Sequence, residues 1–320
     1  MFTNVRRGEQ LVSSKPLRFY SCYGSYFVSL FLASFALVHN SNAQVSAAYQ
    51  KELDDWNTNR IAGLKADDGW LNLVGLYWLD EGKNTFGTGS QNKVVFPANS
   101  ISEAAGYFER NGDVVKLVVE NNTPIQVDGK TVADAVIFTP DAQKLPVVSA
   151  GSLRWTIIKR DDKIGVRLRD LKSPGPAAFK GIERFVADTA WIVHAKLVAP
   201  AVPASIAITN VIGQTTKQKS PGKLVFTINN QQYSLDALDD GDDLMVVFGD
   251  ATSGVTTYPS GRFVYVNKPG PDGNTSIDFN KAHNPPCAFT DFATCPLPPS
   301  QNILPIEVTA GEKNYGDHHK

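Results

Sequence analysis

Short runs of alternating apolar and polar residues recur along most of this chain. Representative runs lie at 114–119, 153–158 and 164–168, and a period of two is typical of half-buried β-strands. Two more continuous apolar runs, at 244–248 and 263–266, predict more deeply buried strands. The chain is therefore predicted to be built mainly from β-strands.

Two-residue turn signals separate several of these runs. Asn-Gly at 111–112 lies between two runs, and Asp-Gly at 128–129 repeats the signal. Polar turns at 161–163 and 229–230 separate two further pairs of runs. Because no helical stretch comes between these predicted hairpins, the pattern favours an antiparallel sandwich or barrel-like domain.

One helix is predicted near the start, from Ser46 to Leu64, because Tyr49, Leu53 and Trp56 fall on one helical face. The alternative is a frayed remnant of a leader segment. The remaining pattern predicts a single β-rich domain over residues 44–320. Within it we expect an N-terminal meander at about 69–140 and a C-terminal half at about 147–315, with a weak seam near 140–146.

The first residues predict export. Arg6 and Arg7 begin a basic segment, and an apolar stretch follows at 27–38. This stretch has the length of a signal-peptide core and is too short to span a bilayer comfortably. Ser41 and Ala43 then place small residues at the positions that a signal peptidase recognises. Residues 1–43 are therefore predicted to be a cleaved signal peptide of a periplasmic or secreted protein; the alternative is an uncleaved anchor.

Composition and missing motifs limit the possible functions. The formal net charge is −1 at pH 7, which gives no indication of a nucleic-acid partner. The chain has no Gly-x-Ser-x-Gly elbow, no His-Glu-x-x-His zinc helix and no phosphate-binding glycine loop. No apolar stretch after the leader is long enough for a membrane span. The expected partner is an unknown small molecule or a cell-envelope component, and the sequence assigns no cofactor and no metal.

Two cysteines remain after the predicted leader. Cys287 and Cys295 lie eight residues apart in a proline-rich loop. In an oxidising compartment this spacing predicts one disulfide bond. Two free thiols and a metal-binding pair are the alternatives, although a zinc site would need two further soft ligands and only His283 is nearby.

Polar residues are concentrated in the C-terminal segments, and they support the hypothesis of a hydrolase. Separated carboxylates in one cleft can serve as acid and base, while a guanidinium can hold an anionic or carbonyl oxygen. The residues assigned to catalysis are Asp250, Arg262, Asp278 and Glu312, and those assigned to substrate binding are Thr252, Tyr258, Asn280, Asn284 and Arg169.

Each of these residues has a structural alternative, because it can cap a turn or pair across a strand. The second hypothesis is accordingly a non-catalytic ligand-binding or envelope-structural β module. In that case exposed aromatic residues would matter more than carboxylates, and Trp70, Tyr77 and Trp78 are the candidates unless they are core residues. Convergence of the polar residues around one pocket would favour the enzyme.

Several motifs resemble the bacterial family known as domain of unknown function 1684. They are Phe-x-Asp-x-Thr-Ser-Gly at 248–254, Thr-Tyr-x-x-Gly-Arg at 257–262, Asp-Phe-Asn-Lys-Ala at 278–282, Asn-Pro-Pro-Cys-Ala-Phe at 284–289, Thr-Cys-Pro-x-Pro-Pro at 294–299 and Ala-Gly-Glu-Lys at 310–313. Segments 69–79 and 166–170 are also similar, so the resemblance extends over nearly the whole chain after the leader. His283 stands where the family is expected to have an aromatic residue, usually Tyr. The resemblance implies no reaction, substrate or cofactor.

Overall fold

The computed structural model describes residues 45–202 and 204–316, so the predicted signal peptide lies outside the described residues. Helix α1 (Ala47–Lys65) begins after Ser46, whose hydroxyl accepts a hydrogen bond from the Tyr49 backbone N–H at 3.2 Å. Leu53 and Leu64 are its buried residues. The predicted helix is confirmed, and no helix in the described ranges is long and apolar enough to cross a membrane.

Strands make up most of the remaining regular structure, which confirms the mainly β fold. In chain order the strands are β1 (Leu73–Trp78), β2 (Gly82–Gly87), β3 (Val94–Val95), β4 (Gly106–Asn111), β5 (Val114–Val119), β6 (Gln126–Val127), β7 (Lys130–Thr131), β8 (Asp134–Phe138), β9 (Val148–Ala150), β10 (Leu153–Arg160), β11 (Lys163–Asp170), β12 (Ile192–Val198), β13 (Ala204–Thr209), β14 (Thr215–Ser220), β15 (Gly222–Ile228), β16 (Gln231–Asp240), β17 (Asp243–Phe248), β18 (Arg262–Asn267) and β19 (Asn274–Asp278). A one-turn helix α2 (Gly175–Ala178) and short 3₁₀ turns at Thr189–Trp191, Phe279–Lys281, Pro286–Ala288 and Ser300–Asn302 complete the elements.

The first sheets form a sandwich. One has the order β1-β11-β10-β9-β6-β7, and the other has the order β3-β2-β4-β5-β8. Their inner faces share one core in which Phe86, Phe108 and Trp155 are fully buried. Strands on both sides of residues 140–146 belong to the same sheet, because β6 pairs with β9.

The second half is built on a curved six-stranded sheet with the order β18-β17-β16-β15-β12-β19. The strands at its two ends approach each other, since the Thr275 hydroxyl of β19 donates to the Asn267 carbonyl of β18 at 2.9 Å. This curvature makes the sheet barrel-like and encloses a core around Phe248 and Phe279. A two-stranded ribbon of β13 and β14 lies beside it.

The disulfide bond between Cys287 and Cys295 is present, with 6.1 Å between the two Cα atoms. It packs in a smaller apolar cluster that also contains Trp70. Tyr77 packs against the core of the first sandwich, and Trp78 is half-buried. The aromatic residues proposed as exposed binding groups therefore serve largely as core residues.

The turn signals of the sequence coincide with observed hairpins. Gly112 and Asp113 form the turn between β4 and β5, one position later than predicted because Asn111 still pairs with Val114, and Asp128-Gly129 joins β6 to β7 as predicted. Asn229 and Asn230 both have positive φ, at 50° and 62°, and they join β15 to β16. A turn with positive φ at both central residues matches the right-handed twist of the flanking strands, which explains why short polar residues occupy it.

Candidate functional site

Asp250 and Arg262 form a buried ion pair. Asp250 follows β17 and Arg262 begins β18, and these two strands are paired antiparallel. The Asp250 Oδ2 atom lies 2.8 Å from Arg262 Nη2, and the side chains are 0% and 1% exposed. Burial lowers the pKa of Arg262, while the Asp250 carboxylate opposes that shift. A substrate in solvent has no access to either charge.

Backbone groups of the C-terminal segment supply further hydrogen-bond partners for this pair. Arg262 donates to the carbonyl of Val308 at 2.9 Å and to the carbonyl of Ala310. Asp250 Oδ2 accepts a hydrogen bond from the Val308 N–H at 3.1 Å. The pair therefore holds residues 308–310 against the ends of β17 and β18.

Thr252 and Tyr258 lie in the turn that links these strands. The Thr252 backbone N–H donates to Asp250 Oδ1 at 3.0 Å, and its hydroxyl contacts that of Thr257 at 2.8 Å. Thr252 is 4% exposed and Tyr258 is 9% exposed. Burial, assisted by the charge of Asp291, raises the pKa of Tyr258. Both predicted substrate-binding residues are thus largely enclosed by the protein.

Glu312 is fully buried and is bound by groups from two other parts of the chain. Its Oε1 atom accepts a hydrogen bond from Arg60 Nε at 3.1 Å, and its Oε2 atom accepts one from the Asn284 backbone N–H at 2.7 Å. Asn284 also donates from Nδ2 to the Lys313 carbonyl at 2.8 Å. Glu312 therefore joins helix α1, the loop at Asn284 and the C-terminal segment.

Asp278 and Asn280 form a network with the hydroxyl of Tyr49. Tyr49 lies 2.8 Å and 2.9 Å from the two carboxylate oxygens of Asp278, and Asn280 Nδ2 lies 3.1 Å from the Tyr49 oxygen. Burial and the Asp278 carboxylate together raise the pKa of Tyr49, so its hydroxyl remains a donor. The Asp278 side chain keeps 17% of its surface exposed, unlike Asp250 and Glu312.

Arg184 connects these groups into one network. It forms a backbone bridge with Glu312 and donates from Nη2 to the Asn280 carbonyl. Arg169 is not part of this network, because it lies on β11 of the first sandwich and donates to the Gly69 carbonyl at 3.1 Å. The residues that the structure brings together are Asp250, Thr252, Arg262, Asp278, Asn280, Asn284 and Glu312.

Helix α1 supplies residues of this region that sequence reasoning missed. Tyr49, Trp56 and Arg60 follow one another at spacings of seven and four, so all three lie on the face that also carries Leu53. Arg60 reaches Glu312, and Trp56 lies beneath Arg184 with 4.8 Å between the guanidinium carbon and the ring. The periodicity of the helix was available in the sequence as a signal for Arg60.

An open cavity of about 270 Å³ lies beside Asp278. Aromatic rings and polar side chains line it together, and they come from helix α1, from β17, β18 and β19, and from the loop after β19. The lining residues are Trp56, Asp243, Tyr265, Asn267, Ser276, Asp278, Lys281 and His283. Of the residues assigned to a site from the sequence, Asp278 alone belongs to this cavity.

His283 is a neutral, buried ring of this cavity. Its Nδ1 atom lies 3.1 Å from the Lys281 carbonyl, which can only accept, so Nδ1 carries the proton and Nε2 is an acceptor. Burial, and next the charge of Arg60, lower the pKa of His283 to about 3. The ring stacks on Tyr265 with 5.7 Å between centroids and 12° between planes. His283 thus packs as a flat, uncharged aromatic ring.

Carboxylate and imidazole groups do not gather into a metal centre in the described ranges. Residues 45–202 and 204–316 contain no group of three or more His, Cys, Asp or Glu side chains that could hold a metal ion.

Fold and site define a mainly β protein with a small, polar, aromatic-lined cavity in its second half. Residues 177–313 match the family model described as a protein of unknown function, DUF1684, which confirms the family resemblance over this part of the chain. The similar segments at 69–79 and 166–170 lie outside the matched range.

One solved structure with sequence similarity is the solution NMR structure of an uncharacterized protein from Haloarcula marismortui. It is 28% identical over 46% of this chain and 82% of that chain, with a TM-score of 0.38. The curated proteins contain no match to this chain.

Proposed function

We propose that this protein is an exported binding protein for a small hydroxylated molecule, such as a sugar of the cell envelope. The ligand occupies the cavity beside Asp278 and His283. The observation that carries the proposal is the combination of stacked aromatic rings and polar groups around a cavity of about 270 Å³. Small-molecule sites typically combine apolar walls with a few polar groups that fix the orientation of the ligand.

The lining of the cavity suits a sugar. Tyr265 is 45% exposed, so one flat surface is available to the C–H groups of a sugar ring. The carboxylates of Asp243 and Asp278 can accept hydrogen bonds from hydroxyl groups, and Asn267 can donate as well as accept. Lys281, the cation among the described lining residues, is already paired with Glu52 at 2.5 Å, so this lining suits a neutral ligand better than an acidic one.

Burial of the residues first assigned to catalysis favours a binding protein over a hydrolase. The side chains of Asp250, Arg262 and Glu312 are at most 1% exposed. Their charged atoms are bonded to one another, to Arg60 or to the backbone. Acid–base catalysis requires the catalytic group to reach the proton that it transfers. These three residues therefore serve to hold the framework of the cavity.

The ligand is tested by titrating the folded chain with a panel of monosaccharides and cell-envelope disaccharides in a calorimeter. We expect Asp278→Asn to weaken binding by about tenfold or more, since hydrogen bonds to charged groups contribute about 1.5–3 kcal/mol, and Tyr265→Ala to weaken it by about threefold to tenfold because the stacking surface is lost. Asp134→Asn is the matched control, because Asp134 is paired with Lys116 in the first sandwich. Equal affinity in all four proteins, or no binding of any sugar, would refute the proposal.

Hydrolysis of a glycosidic bond is the second candidate, since the carboxylates of Asp243 and Asp278 line the same cavity. Glycosidases generally use two carboxylates that flank the bond they cleave. The test is to incubate the same sugars with the protein and measure products by mass spectrometry. Turnover that is lost in both Asp243→Asn and Asp278→Asn, with binding retained, would favour the enzyme; intact sugars favour the binding protein.

Export is supported by the basic and apolar leader at 1–43 and by the disulfide of Cys287 and Cys295, a bond typical of oxidising compartments. Periplasmic and secreted locations both agree with it. Cell fractionation followed by mass measurement of the intact protein tests this part. We expect a chain that begins at residue 44 outside the cytoplasm, whereas a full-length cytoplasmic chain would contradict export.

A further inference from the structure

Three arginines project from the same face of the β10–β11 hairpin, two of them two positions apart on β11 and the third opposite Lys163, four positions along the ladder from Arg167. Residues alternate in direction along β10 and β11, and Trp155 and Leu168 point into the core. Arg160 on β10 and Arg167 and Arg169 on β11 therefore project from the opposite face. These residues are remote in sequence from the cavity beside Asp278 and share no lining residue with it.

No carboxylate neutralises these arginines at close range. Among the described residues, none of the three forms an ion pair within 4.0 Å, and the charge of Asp68 acts on Arg169 from farther away. Burial lowers the pKa of all three, and the charges of Arg160 and Arg169 add to the effect at Arg167, whose pKa falls to about 10. The cluster is thus a concentrated positive charge without an internal counterion.

Arg167 is the most deeply buried of the three, with 8% of its surface exposed. Its guanidinium lies 5.3 Å from the ring of Trp70, yet its Nε atom has no hydrogen-bond partner in the part of the chain that the structure describes. A buried charged donor without a partner is strongly unfavourable. This arrangement is explained if a ligand supplies the missing acceptor.

The two flanking arginines are held in place by the protein. Arg160 donates from Nε to the Thr294 hydroxyl at 2.9 Å, and Arg169 donates from Nε to the Gly69 carbonyl at 3.1 Å. A cavity of about 370 Å³ lies against Arg160 and Thr294, and Asp161 is the carboxylate in its lining.

We propose that Arg160, Arg167 and Arg169 form a binding site for the phosphate or sulfate group of a small ligand, whose remainder lies in the adjacent cavity. A tetrahedral oxyanion offers several acceptors, and the planar guanidinium group is well matched to it. Its negative charge would offset the mutual repulsion of the arginines. The site is independent of the proposed sugar site, because its residues lie on β10 and β11.

The proposal is tested with inorganic phosphate, inorganic sulfate and glycerol phosphate, titrated into the whole folded chain at constant ionic strength. We expect Arg167→Met and Arg169→Gln to weaken the binding of phosphate, sulfate and glycerol phosphate by about tenfold or more. Lys116→Met is the matched control, since it removes one cation of the first sandwich outside the cluster, and it should leave affinity unchanged. A phosphate monoester that binds more tightly than free phosphate identifies an organic ligand.

A second measurement separates binding from folding. Without any oxyanion, Arg167→Met should melt no lower than the original protein, because the substitution removes an unpaired buried charge. Added phosphate should raise the melting temperature of the original protein and of Lys116→Met, but not that of Arg167→Met. The proposal is overturned if none of the three oxyanions binds, or if the arginine variants retain the full phosphate response.

Discussion

Replacing Arg262 with methionine tests whether the buried ion pair is a structural element. Met fills part of the same volume but removes the partner of Asp250 and the donor to the Val308 and Ala310 carbonyls. Asp250 would then be a buried carboxylate without its cation. Removing one member of a buried ion pair typically costs about 3–5 kcal/mol, so we expect a loss of that size in the free energy of unfolding.

The double variant Asp250→Leu with Arg262→Met measures the coupling energy between the two side chains. Because it leaves no uncompensated charge, its loss should be smaller than the sum of the two single losses, with a coupling energy of about 1–3 kcal/mol. The exposed pair of Lys268 and Asp239 provides the control, since the two side chains are 40% and 44% exposed. Lys268→Met should cost about 0–1 kcal/mol.

Urea denaturation followed by tryptophan fluorescence measures five proteins: the original, Arg262→Met, Asp250→Leu, the double variant and Lys268→Met. A midpoint shift with an unchanged slope would report a change in stability alone. The reasoning is refuted if Arg262→Met costs no more than Lys268→Met, because the guanidinium would then contribute no more than an exposed charge. It is also refuted if the two single losses simply add.

Further variants test other contacts of the second half. Folded His283 stays neutral down to about pH 3, while in the unfolded chain it takes up a proton below about pH 6.5. The free energy of unfolding should therefore fall as the pH decreases across this window, by up to about 1.4 kcal/mol per pH unit. Urea titrations at several pH values should show that His283→Phe lacks this slope. Replacing Cys287 and Cys295 with serine should lower stability by about 2–3 kcal/mol in the same assay, and finding both thiols free by mass spectrometry would contradict the disulfide. Tyr49→Phe should cost about 1–3 kcal/mol, since Asp278 loses a charged hydrogen bond, and an unchanged midpoint would exclude that role.

Local signals explain why the β fold could be predicted. Turns such as Asp128-Gly129 and Asn229-Asn230 have the positive φ angles that a tight hairpin needs, and those angles select residues visible in the sequence. The helix start at Ser46 is equally local, because the capping contact spans three residues. Strand order is different, since it depends on pairings such as β1 with β11 that no local pattern encodes.

The candidate site was predictable as a set of residues but not as an arrangement. The residue types at Asp250, Arg262 and Glu312 suit either catalysis in an open cleft or ion pairing in the core. Their burial in the folded protein decides between these two roles. Arg60 and Glu312 are separated by 252 positions, so their contact follows from the tertiary fold alone. For the same reason Arg169 was grouped with the C-terminal residues although it lies on β11 beside Arg167.

Because Arg262 bonds to residues 308–310, its hydrogen bonds can be completed only late in chain synthesis. A nascent chain that has been made only as far as β19 contains both members of the buried ion pair but none of the carbonyls that complete the guanidinium. It also lacks Glu312, the acceptor for Arg60 on the first helix. The C-terminal segment can therefore fasten the ends of β17 and β18 only after translation has passed residue 310, so a chain interrupted earlier is expected to contain every strand of the curved sheet but to lack these bonds.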